Sequence, residues 1–227
     1  TLVNSKPLVL PASVDGAAAI VECFNPGMQG GTAFAEVLFG DLNPSGKLTV
    51  SFPRHVGQQP TFYNQVRNQH GNKYADLTQV PLFPFGHGLS YTRFEYANLQ
   101  VRTPRLSPDQ ALEVCVEVSN TGRRDGTEIA QVYLSDLVTS VTWVNKTLVA
   151  FARVTLAAGE TRRVSFEIPQ QRLALIDAYE RSVVEPGEFE ILVGPSSVDA
   201  DLLRATFVVE GEPFSFAGIP GVARARA

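Results

Sequence analysis

Two spacings of apolar residues divide this chain. Up to residue 58 short apolar runs change period from one to the next. Leu2-Val3-Asn4 predicts a strand end, residues 11–15 a short helical turn, and residues 18–24 a buried strand. After Asn25-Pro26-Gly27, Gly30-Gly31 opens a stretch with Phe34, Val37 and Leu38 at helical spacing, and Gly40 stands where a helix stop belongs. Leu48-Thr49-Val50-Ser51-Phe52, closed by Pro53, alternates as a strand does. Strand, helix and strand in that order predict a parallel or mixed sheet. Between Arg54 and Leu82 the periodicity dissolves into amides and aromatics.

From Phe94 the period settles at two. Leu112, Val114, Val116 and Val118 alternate with Glu113, Cys115 and Glu117, and the run ends in the turn Asn120-Thr121-Gly122. Further strands are expected over 129–134, 148–156, 164–168, 189–193 and 205–209, separated by turns such as Ala157-Ala158-Gly159-Glu160 and Glu185-Pro186-Gly187. About seven short strands in about 100 residues predict an immunoglobulin-like sandwich. Cys23 lies outside that region, so the two cysteines cannot form its inter-sheet disulfide, and a fibronectin type III relative fits better. The expected fold class is therefore α/β followed by all-β. Its parts are 1–58, the end of an α/β domain; 59–92, a polar connector; 93–211, the sandwich; and 212–227, a tail that docks or frays.

Composition narrows the function classes. With 44% hydrophobic residues the 227-residue chain can bury real cores, and a net charge of −4 disfavours a nucleic-acid partner or an anionic membrane surface. No apolar stretch approaches the roughly 20 residues of a membrane span. Two distant cysteines and three scattered histidines, His55, His70 and His87, predict no metal site and no cofactor. The chain starts in a strand-like run without a leader, so a fragment, a processed piece or one chain of a split protein is expected. A sheet begun there would leave an open edge, and a partner is expected to cover it.

Gly40-Asp41-Leu42-Asn43-Pro44-Ser45-Gly46 taken alone is a helix stop and a tight turn into a strand. Taken with Asn25-Pro26-Gly27, Gly30-Gly31, Ser51-Phe52-Pro53 and Phe85-Gly86-His87-Gly88-Leu89-Ser90-Tyr91, it resembles the C-terminal half of family 3 glycoside hydrolases. Val118-Ser119-Asn120-Thr121-Gly122, Asp125-Gly126 and Ala130-Gln131-Val132-Tyr133 resemble that family's third domain, so the likeness covers nearly the whole chain. Many members carry an acidic residue where this chain has Met28-Gln29. Gln29 still offers a side-chain oxygen to the helix start, with a small local effect expected.

The resemblance implies a retaining β-glycosidase of the β-glucosidase or β-xylosidase type. Its nucleophile Asp lies on an N-terminal barrel and its acid/base Glu in the first part of the α/β domain, both preceding this chain. Glu22, Glu36, Asp41 and Asp76 fall at neither position, so no catalytic residue is expected here and the isolated chain is expected to be inactive. Implied partners are the N-terminal barrel and α/β portion and a β-linked oligosaccharide or glycoside; the sequence leaves the compartment open, and the family resemblance favours a secreted or periplasmic one. Tyr63, His70 and Tyr74 are substrate-binding candidates, because aromatic faces and polar side chains suit sugars, although an interdomain packing linker needs the same residues and is the preferred reading. His87 is expected to shape a turn. Asn145-Lys146-Thr147 matches a glycosylation sequon, relevant only in a eukaryotic secretory protein. The alternative to a glycosidase portion is a carbohydrate- or protein-binding scaffold of the immunoglobulin-like class.

Overall fold

A computed structural model describes residues 1–3, 5–14, 16–58, 61–66, 76–107, 110–216 and 223–226. The first part holds β1 (Leu2–Val3), a 3-10 turn at Ala12–Val14, β2 (Val21–Glu22) and α1 (Gly30–Phe39). β1 and β2 pair in parallel, the relation expected of a βαβ unit. Gly40, at φ 84°, ends α1 in the left-handed region, where its amide bonds the Val37 carbonyl. Only glycine takes that conformation without a steric cost.

Two expected strands shrink. The buried strand over 18–24 reduces to β2, which is half-buried, because Phe24 turns to φ 46° and leaves the extended region. Leu48–Phe52 joins no sheet; it lies along residues 82–87, with Leu48 and Phe52 amides bonding the His87 and Phe83 carbonyls. A single bridge, Phe52 to Phe83, is all that counts as pairing. Pro53 and Pro84 have no amide proton, which stops a ladder from extending there.

The sandwich follows expectation closely. Its strands are β3 (Phe94–Val101), β4 (Arg105–Leu106), β5 (Leu112–Asn120), β6 (Gly126–Asp136), β7 (Thr147–Leu156), β8 (Thr161–Ile168), β9 (Leu175–Ile176), β10 (Ser182–Val184), β11 (Gly187–Gly194), β12 (Leu203–Val209), β13 (Phe214–Ser215) and β14 (Arg224–Arg226). One sheet runs β4-β12-β11-β6-β7 and the facing one β14-β8-β5-β3. Val114, Val116 and Val118 of β5 meet Ala130, Val132 and Leu134 of β6, with Phe189 stacked on Phe207 at 5.4 Å, in one continuous core. The tail docks: β13 pairs with β10, and β14 pairs with the β8 edge.

β6 is buried on both faces. Ala130, Val132 and Leu134 point into the core, and Gln131, Tyr133 and Ser135 on the opposite side are equally covered. The first part and connector lie against that outer side. They bring little core of their own: among described side chains before Leu106, only Phe52 and the adjoining Pro53 are buried apolar groups. By contrast Leu38, Phe39 and Leu89 are 63%, 79% and 78% exposed.

Candidate functional site

The motif segments converge on the joint between the first part and the sandwich. Asn43, from the turn after α1, spans three of them. Its Nδ2 donates to the Asp125 carbonyl at 3.0 Å, while its Oδ1 accepts the Ser90 hydroxyl at 2.9 Å and the Tyr91 amide at 2.8 Å. Asn120 does similar work from the sandwich side, accepting from the Thr92 hydroxyl and the Gly122 amide and donating to the Arg124 and Leu156 carbonyls. The tight turns need small residues here. A Cβ at Gly126 would stand 2.9 Å from Asn43 Nδ2, and one at Gly122 would stand 2.1 Å from the Thr92 hydroxyl.

Four residues on from Asn43, Lys47 crosses the joint. Its Nζ sits 3.1 Å from Glu128 Oε1 and donates to the Gly88 carbonyl at 3.1 Å, and the Tyr96 hydroxyl donates to the same Glu128 oxygen at 3.0 Å. The Lys47 and Glu128 side chains are only 12% and 4% exposed. Burial pushes the Glu128 carboxyl above its ordinary range, with Lys47 and Tyr96 opposing the shift, and burial beside Glu128 pushes the Tyr96 hydroxyl up. A Cβ at Gly88 would fall 2.3 Å from the Gly46 carbonyl oxygen, so the two motif turns touch through backbone.

The third contact is an amide and aromatic cluster. Gln131 donates to the Gly86 carbonyl at 3.2 Å and the Pro195 carbonyl at 2.6 Å, and accepts the Tyr133 hydroxyl at 2.6 Å. Tyr63 stacks on Phe85 at 4.2 Å, meets Tyr133 edge-on at 5.7 Å, and accepts the Leu148 amide at its hydroxyl. Ser197 donates both its hydroxyl and its amide to the Phe85 carbonyl. Burial raises the Tyr63 and Tyr133 hydroxyls, which therefore stay protonated and hydrogen-bonding.

Tyr63 thus stands at the joint, packed on both sandwich and connector. His70 and Tyr74 lie outside the described residues, so the three candidates are not seen together. His87 bonds the Pro84 carbonyl through its amide and stacks on Phe83, and burial lowers its imidazole below the usual range. Gln29 makes no side-chain bond to the helix start, a correction to the capping role its oxygen was expected to fill. Glu128 is the carboxylate the sequence reading missed. The signal was available: at the period of β6 it shares the inward side with Ala130 and Val132, where a charge needs a partner. No cluster of metal-binding side chains occurs among the described residues, and no helix among them is long and apolar enough to cross a membrane.

Comparison with known proteins identifies the two parts as an α/β domain followed by a fibronectin-like one. Residues 1–91 match the glycosyl hydrolase family 3 C-terminal domain and residues 128–197 a fibronectin type III-like domain. A periplasmic beta-glucosidase of Salmonella typhimurium is 39% identical over 206 residues, covering 86% of this chain and 27% of the relative. A beta-xylosidase of Formosa agariphila is 41% identical over 212 residues, covering 92% and 29%. Among solved structures, a beta-glucosidase involved in saponin metabolism from intestinal bacteria superposes with a TM-score of 0.88 at 44% identity, covering 92% of this chain and 30% of that one. The chain belongs to glycoside hydrolase family 3. It spans less than a third of the length of these relatives.

Proposed function

We propose that this chain is the C-terminal portion of a retaining, exo-acting β-glycosidase that releases terminal β-linked glucose or xylose, with the nucleophile Asp and the acid/base Glu on the portion that precedes it. The observation that carries this reading is where the motif residues go. Asn43, Lys47, Gly86, Gly88 and Tyr91 build a joint, and the joint's one deeply buried carboxylate, Glu128, is already engaged by Lys47 and Tyr96. A retaining mechanism needs two carboxyl groups about 5–5.5 Å apart, free to attack and to donate a proton. Glu128 is committed to structure. The chain's role is to brace the acid/base-bearing sheet against the sandwich, with Tyr63 serving that packing.

The exposed side of α1 supports a covering portion. Leu38, Phe39, Gly40, Tyr91 and Arg124 line a cleft of about 340 Å³, an apolar shelf of the kind buried between domains. Its proposed occupant is the preceding portion of the same enzyme, as the relatives' greater length supports; a freestanding scaffold module would leave it bare. The test is reconstitution. The 227-residue chain is assayed on a nitrophenyl β-glucoside and β-xyloside, alone and mixed with the preceding portion. Activity is expected only in the mixture, and turnover by the isolated chain would overturn the assignment.

A further inference from the structure

The edges of the sandwich differ in how they are protected. In the β14-β8-β5-β3 sheet, β14 has three residues with an arginine at each end, and β3 is broken by Asn98 at φ 54° and a register shift between Ala97 and Gln100. In the facing sheet the edge strand β4 has two residues. Shortness, charge and a bulge each keep an edge from pairing with another chain. β7, the remaining edge, runs ten residues, Thr147–Leu156, and its register shift lies near its start, where Val149 has no partner on β6.

Both ends of β7 are occupied. The Tyr63 hydroxyl takes the Leu148 amide, and the Asn145 amide bonds the Gln65 carbonyl. The Leu156 carbonyl accepts Asn120 Nδ2 at 3.2 Å. Between them, residues 149–155 pair with β6 on one side and, among the described residues, make no backbone bond on the other. β14, in the facing sheet, pairs with β8 alone. The open run is about 20 Å long, enough for an ordinary strand to add to it.

Its side chains indicate which strand fits. Ala150, Ala152 and Val154 face the core, whereas Phe151, Arg153 and Thr155 face out. Phe151 is 64% exposed, and Arg153 forms no ion pair among the described residues. The midpoint of the run is Ala152. Two copies laid edge to edge and antiparallel overlap over the whole run when a two-fold axis passes at Ala152, an isologous contact. In that register Phe151 of each copy stands opposite Arg153 of the other, so a guanidinium meets an aromatic ring at two symmetric positions. Shifting the axis to Arg153 would shorten the overlap and set like charges opposite each other. Extent and charge thus select the same register.

We propose that the β7 edge joins two copies of this chain into one continuous sheet across a two-fold axis at Ala152. The contact does not depend on the proposed hydrolytic activity.

The test uses the chain within its natural polypeptide, followed by sedimentation velocity across a wide concentration range, with thermal melting to check the fold of each variant. A reversible monomer–dimer equilibrium in the micromolar range is expected. Phe151→Lys sets like charges opposite at both symmetric positions and should weaken the dimer about tenfold. Phe151→Glu removes the same ring but faces Arg153 with an opposite charge, and should hold the dimer within about threefold. Adding Arg153→Glu to Phe151→Lys should bring the dimer back. A polypeptide that stays monomeric at every concentration, the result expected if the preceding portion covers β7, overturns the proposal. So do equal effects of the Lys and Glu variants, indifference to Phe151→Lys, or failure of the double variant to recover.

Discussion

Gly86 and Gln131 form a pair whose energies can be separated. Gly86 holds φ at 80°, and a Cβ there would fall 2.1 Å from Gln131 Oε1 and 2.9 Å from its Cδ and Nε2. Gly86→Ala therefore acts twice: the left-handed backbone costs about 1–2 kcal/mol, and expelling the Gln131 amide loses three hydrogen bonds at about 1 kcal/mol net each. The total is about 4–5 kcal/mol. Gln131→Ala loses the same three bonds and costs about 3 kcal/mol. In the double variant those bonds are lost once, so it should cost about 3 kcal/mol less than the sum of the singles, far beyond the ~0.5 kcal/mol scatter of independent sites. Urea denaturation followed through Trp143, the only tryptophan, measures all three. Additive effects would mean that Gly86 and Gln131 do not meet as described.

Four further outcomes follow from the joint and the tail. Lys47→Met leaves the buried Glu128 carboxylate with Tyr96 and the Ile129 amide but no cation, and should cost about 3–5 kcal/mol. Because burial lifts the Glu128 carboxyl above its ordinary 4.5, its stabilising share is complete below that value and fades as pH rises through the raised one; urea melts should show the chain gaining on Glu128→Gln as pH falls through that window. Tyr63→Phe keeps the stack on Phe85 and removes only the acceptor for the Leu148 amide, an expected loss of about 1–2 kcal/mol by thermal melting. Removing the chain from Ala223 onward uncovers the β8 edge, and light scattering should then detect concentration-dependent association.

Legibility followed locality. The α1 stop at Gly40 and the alternation of β5 were plain because each depends on residues within one turn or one face. β3 was less plain, since Asn98 at φ 54° and the register shift between Ala97 and Gln100 break its alternation. The strand expected over 48–52 failed for another reason: strand identity needs a neighbour with free amides, and prolines deny them. Lys47 and Glu128 are 81 residues apart, a contact no periodicity reveals. The family motif located the joint without disclosing what it does there; the charge on the inward side of β6 was the readable clue. His70 and Tyr74, the other two sugar-binding candidates, lie outside the described residues.

The uneven distribution of buried apolar groups has a consequence for biogenesis. The sandwich owns a continuous core, whereas the described side chains of the first 58 residues contribute Phe52 and Pro53, and this stretch is fastened by Asn43 and Lys47 to groups on β6 and its approach. On the ribosome those fastenings emerge before the surface that receives them. Domains ordinarily fold in the order they are made, but here the stretch synthesised earlier borrows its order from the stretch synthesised later. A stall in translation before β6 would leave Asn43 and Lys47 without the Asp125 carbonyl and the Glu128 carboxylate they bond, which makes this interval the one in which the joint stands open.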